Sequence, residues 1–166
     1  MKKSIIILAA VLLLFCTACE SKEENSTALK WTDSVEKITL YSEEETIDIV
    51  CESDNGKACI NQAEKLLSDG FDASMLDGSY RISDMTKELK GEDFIVAFEF
   101  SEAQKLSAEF KNERFSYDNI KSFCISSDGM LTVYTDEDND GLSLASVVFA
   151  EKESVASSLQ TALKEE

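Results

Sequence analysis

The stretch DFIVAFEF, residues 93–100, sets Phe94, Val96, Phe98 and Phe100 at every second position, so four large apolar side chains share one face of an extended strand. Three more apolar runs follow it, IKSFCIS (120–126), MLTVYTD (130–136) and LSLASVVF (142–149). They are divided by Ser127-Asp128-Gly129 and by Asp138-Asn139-Asp140-Gly141. Runs joined by turns this short pair as antiparallel neighbours, because a parallel pairing needs a crossover of a dozen or more residues. The C-terminal half is therefore expected to form an antiparallel meander. Five of the six glycines follow Asp or Asn, which is turn chemistry placed where a strand or helix has to end.

Two other strands are predicted nearer the N-terminus, over VEKITLY (35–41) and TIDIV (46–50). Between them and the meander, Cys59, Ile60, Ala63, Leu66 and Leu67 recur at helical spacing, closed by Ser68-Asp69-Gly70 with glycine where a helix C-terminus favours a left-handed residue. Val155, Leu159, Ala162 and Leu163 form the apolar stripe of a terminal helix. Residues 71–92 carry a turn at Asp77-Gly78, a short strand expected over Ser79–Ser83, then loop or a helical turn. SEAQKLSAEF (101–110) reads two ways. Ser101 and Gln104 fit a helix capping box, whereas Leu106, Ala108 and Phe110 alternate ahead of a turn at 111–114. The alternation predicts a hairpin here. Together these elements predict an α+β fold, a mostly antiparallel sheet with two amphipathic helices packed on one face.

The first residues are of a different kind. Lys2 and Lys3 precede an apolar run to Leu14-Phe15, a basic head and a hydrophobic segment of export-signal length, too short to span a bilayer stably. The run has no polar face, so a domain of this size has nowhere to bury it. It ends in Cys16-Thr17-Ala18-Cys19, which resembles the lipobox of bacterial lipoproteins. The resemblance implies cleavage after Ala18 and a diacylglyceryl thioether on Cys19, with Thr17 and Ala18 as the small residues before the cut. Cys16 stands where that pattern usually has leucine. Bulky Phe15 beside it argues against Cys16 as the modified residue. Two acyl chains at ~0.8 kcal/mol per buried CH₂ hold a protein stably where one does not. The domains expected are thus a signal peptide at 1–18, a flexible polar tether at 19–30 with a reach of roughly 20 Å, and a single α+β domain at 31–166 whose start Trp31 marks.

Loss of the signal removes two lysines and takes the net charge from −17 to about −19 at neutral pH. Such a balance excludes nucleic acid, whose binding rests on lysine and arginine displacing counterions. It also holds the domain off anionic headgroups. The chain has no histidine, which removes His-based triads, His-ligated metals and the usual general base at neutral pH. Of the cysteines remaining after Cys19, Cys51 and Cys59 could pair if Asp54-Asn55-Gly56 turned the chain between them, and export permits a disulfide. The other reading is buried free thiols, which suits Cys124 in its apolar surroundings.

One stretch resembles a ligand cluster. In TDEDNDG, Asp136, Asp138, Asp140 and Gly141 match the first half of the calcium loop of EF-hand and dockerin proteins. The second half fails, since Val147 stands at the twelfth position where a bidentate glutamate belongs. A hairpin tip with solvated carboxylates accounts for the same letters. No cofactor is expected, with calcium at this loop as the alternative. The chain thus reads as a lipid-anchored protein on the extracytoplasmic side of the cell membrane. Its small acidic domain is expected to be non-catalytic and to bind an unidentified protein, peptide or glycan. The alternatives are a carboxylate-based hydrolase, which would need two acids facing each other in a cleft, and a module weakly stabilised by calcium at 136–141.

Overall fold

The computed structural model describes residues 33–68, 73–110, 113–135, 141 and 143–164. It is an α+β structure built on a seven-stranded sheet in which every pairing is antiparallel. The elements run β1 (Val35–Ser42), β2 (Thr46–Ile49), α1 (Asp54–Ser68), β3 (Ala73–Leu76), α2 (Ile82–Met85) with a 3₁₀ turn at Thr86–Glu88, β4 (Phe94–Phe110), β5 (Glu113–Ser126), β6 (Met130–Tyr134), β7 (Ala145–Phe149) and α3 (Lys152–Lys164). Across the sheet the order is β2-β1-β4-β5-β6-β7-β3. The expected meander is present as β5, β6 and β7, and β4 with β5 forms one long hairpin.

The alternation of β4 decides what lies on each side. Directly opposed residues share a face, and Ile38, Phe98, Phe123, Val133 and Ala145 follow one another across five strands. Phe98 and Phe123 stack there with ring centroids 4.7 Å apart and planes 10° from parallel, an arrangement worth roughly 1 kcal/mol beyond its burial. These residues belong to the larger of two apolar clusters, which also takes in Cys59, Ile60, Ala63, Leu66 and Leu67 of α1 and Val155, Leu159 and Ala162 of α3. The helical stripes expected from the spacing are thus the buried stripes. The intervening strand residues, Ile95, Ala97, Cys124 and Tyr134, are equally buried and join Ile82, Met85 and Leu89 in a second cluster. A sheet covered on both faces explains why DFIVAFEF is nearly continuous in apolar character.

Helix α1 begins earlier than its apolar spacing indicates. Ser53 is its N-cap: the Oγ accepts from Gly56 N–H at 3.0 Å, and the carbonyl accepts the first helical bond from Lys57 N–H at 3.0 Å. Asp54-Asn55-Gly56 is therefore the first turn of this helix and not a reversing turn between cysteines. Asn55 Nδ2 donates to the Leu163 carbonyl and joins the start of α1 to the end of α3.

One other expectation changes. The strand after α1 is Ala73–Leu76, not Ser79–Ser83, and residues 82–88 are helical. The segment 101–110 is strand, as the hairpin reading holds, so the capping-box letters carry no helix; Gln104 Nε2 donates to the Glu102 carbonyl instead. Register shifts between Glu99 and Leu106, together with Asn119 at φ 61°, mark where the β4–β5 hairpin bends beyond its neighbours.

Candidate functional site

Where β4 begins and β5 ends, the second face of the sheet opens into a groove of about 480 Å³. Three short segments shape it. The first is the turn after β5. Gly129 N–H donates to the Ser126 carbonyl at 2.9 Å, and the residue adopts φ 78°, a left-handed conformation that glycine accepts without cost. Ser126 Oγ donates to the Asp128 carboxylate and accepts from Met130 N–H. Ser127 Oγ accepts from Phe94 N–H at 3.1 Å, while Ser127 N–H donates to the Phe94 carbonyl at 2.9 Å. Both serine hydroxyls are thus committed to holding the turn against β4 and β6.

The second segment is residues 80–89. Tyr80 N–H donates to Ser143 Oγ at 2.8 Å and its carbonyl accepts from Ser143 N–H at 3.0 Å, which pins the segment beside β7. Ile82 is buried, and Met85 Sδ accepts from the Tyr134 hydroxyl at 3.8 Å, so the short helix is seated on the second cluster. The third is the turn 90–93, where Asp93 accepts from Lys90 N–H and Gly91 N–H donates to Glu43 Oε2 at 2.6 Å, tying the turn to the β1–β2 connection.

The lining divides by chemistry. Leu76, Met85, Leu89, Ile95, Met130 and Val148 make an apolar floor. All but Ile95 are partly open to solvent. The charged lining residues are the acids Glu88, Asp93 and Asp128 and the single base Lys152, all four exposed. Lys152, the first residue of α3, is brought in by close packing, since a Cβ built on Gly129 would lie 3.1 Å from its Cα. The half-buried ring of Tyr80 completes the lining.

The groups most displaced from ordinary titration are not in the groove but beneath the sheet surfaces. Burial pushes the Cys124 thiol up to about 12, and burial with the neighbouring Cys124 raises the phenol of Tyr134. Burial likewise pushes Cys59 up to about 11, and raises Cys51. Cys51, Cys59 and Cys124 are all free thiols. Cys59 points into the core from α1 while Cys51 precedes the helix cap, so the helix occupies the place where a reversing turn was needed to pair them.

Cys19 lies outside the described residues, as do Asp136, Asp138 and Asp140. Among the described residues no three Cys, Asp or Glu side chains are grouped as a metal site, and no helix is long and apolar enough to cross a membrane. Sequence reasoning does not single out the groove residues. Their one signal is the filled positions between the alternating phenylalanines, Ile95 and Ala97, which indicate a second covered face and hence a cover with edges. Comparison with protein-family models, with curated proteins and with solved structures finds no match for this chain.

Proposed function

We propose that this chain is a lipoprotein anchored through Cys19 to the extracytoplasmic side of the cell membrane, and that its acidic domain binds a partner without catalysing a reaction on it. In this reading α1 and α3 both cover one face of the sheet, and the other face, under residues 80–89, is the recognition face. Shared membership of both helices in the larger apolar cluster supports that layout. The observation that carries the binding role is the groove itself, with partly open apolar side chains at its floor and charges only at its rim. Its volume falls in the range that ligand sites occupy. Its serine hydroxyls serve the turn that holds it, and the buried thiols and phenol face the core, where their burial keeps them protonated and unreactive.

The anchor is tested by expressing the full chain in an exporting bacterium and measuring the mass of its N-terminal peptide. A peptide beginning at Cys19 with an attached diacylglyceryl group in the parent, and loss of both the lipid and the cleavage after Ala18 in a Cys19→Ser variant, are the expected results. An unmodified N-terminus in the parent, or unchanged cleavage after Ala18 in the variant, overturns the reading.

A further inference from the structure

The rim of the groove carries more than surface solubility requires. Glu88, Asp93 and Asp128 line the groove with one cation, Lys152, beside six apolar side chains, two serines and a tyrosine. They lie on three separate segments, and the turn that carries Asp128 is hydrogen-bonded to Phe94 beside Asp93. Three carboxylates lining one groove favour cationic ligands over anionic ones. The net charge of −17 adds to the same selection. Tyr80 supplies an aromatic ring at the same opening, and an aromatic face is a second favourable contact for an ammonium or guanidinium group.

The position of the groove favours an extended chain over a small amine. Leu76 of its lining belongs to β3, the outermost strand of the described sheet. An outermost strand presents backbone donors and acceptors to which a peptide can add, while pockets beside it read alternate side chains. We infer that the groove binds a peptide segment in which a large apolar side chain stands next to lysine or arginine. The apolar side chain rests on Met85, Leu89 and Met130, and the cation lies between Glu88, Asp93 and Asp128. This inference rests on the binding role proposed above and names the partner's chemistry.

The test uses the full chain in neutral detergent micelles and three fluorescent octapeptides identical except for their polar residues, which are lysine, glutamate or serine beside leucine and phenylalanine. Anisotropy is read at low and high salt. The lysine peptide is expected to bind at least about tenfold more tightly than the glutamate peptide, with the margin shrinking as salt rises. Glu88→Lys removes that preference, whereas Glu102→Lys, which changes net charge equally at an exposed position of β4 outside the groove lining, leaves it. Equal loss in both variants overturns the site and assigns the preference to overall charge. Binding of the serine or glutamate peptide as tightly as the lysine peptide overturns the partner's chemistry while leaving a binding groove. No binding by any of the three overturns the inference, and the anchor experiment then stands on its own result.

Discussion

Replacing Gly56 by alanine should destabilise the domain, although the same change in most helices does the reverse. Alanine exceeds glycine in helix preference by about 1 kcal/mol, and Gly56 sits in the first turn of α1. A Cβ at this position, however, collides with the Val50 carbonyl and comes within 2.7 Å of the Cys51 carbonyl oxygen and 2.8 Å of its Cα. All three are backbone atoms, so no side-chain rotation relieves the contact. Moving residues 50–51 away breaks the bonds that Ser53 makes to the Val50 carbonyl, from its N–H at 3.1 Å and from its Oγ at 2.6 Å. The same Oγ caps the helix through Gly56 N–H. Overpacking costs roughly 1–3 kcal/mol, and loss of a cap with its hydrogen bonds costs about 1–2 kcal/mol. Set against a gain of about 1 kcal/mol, the net loss is about 1–4 kcal/mol. Urea unfolding followed by circular dichroism measures it, with Ser53→Ala as the companion variant at about 1 kcal/mol. A Gly56→Ala midpoint equal to or above that of the parent, at unchanged slope, refutes the close-approach argument.

The three thiols should differ in reactivity: under native conditions an alkylating reagent labels half-buried Cys51 first, and mass mapping that finds Cys59 or Cys124 labelled at the same rate contradicts their burial. Because burial raises Cys59 to about 11 and Cys124 to about 12 from an ordinary 9.0, the stability they contribute is fully present below about pH 9 and is lost as pH climbs through those values. The urea midpoint should accordingly fall between pH 9 and 11, less steeply in a Cys59→Ala, Cys124→Ala double variant, and parallel curves would show that the thiols are not responsible. Asn119, at φ 61°, should accept glycine with little change but lose about 1–2 kcal/mol as valine, since a β-branched side chain resists the left-handed region. Equal midpoints for the two variants would remove the bend from the set of conformationally demanding positions.

What is legible in this sequence is whatever its own neighbours determine. Alternation locates β1, β2, β4 and the meander, and the spacing of Cys59 to Leu67 and of Val155 to Leu163 locates both long helices with their buried sides. Ser127-Asp128-Gly129 is a turn for the reason its letters indicate, a left-handed glycine. The departures share a cause. Asp54-Asn55-Gly56 has the letters of a turn, but Ser53 caps a helix there, and glycine is present because the chain at 50–51 passes too close for a side chain. Local letters cannot report that crowding. Ser79–Ser83 alternates weakly, yet the strand falls at Ala73–Leu76, where β7 offers a partner from more than seventy positions away. The groove is hidden for the same reason: Glu88, Asp93, Asp128 and Lys152 are ordinary surface letters until three segments are folded against each other.

The sheet order carries a consequence for how the chain is made. The chain lays down β2 at one margin, passes through α1, and contributes β3 to the opposite margin, whose neighbour among the described strands is β7, near the end of the polypeptide. A ribosome therefore releases most of the molecule before β3 has its β7 partner to join. Nascent chains halted ahead of Ala145 lack the last register of the sheet, together with the terminal helix that belongs to its main core. Under the export proposed above, that delay keeps the last two strands of the described sheet from joining until β7 has crossed the membrane.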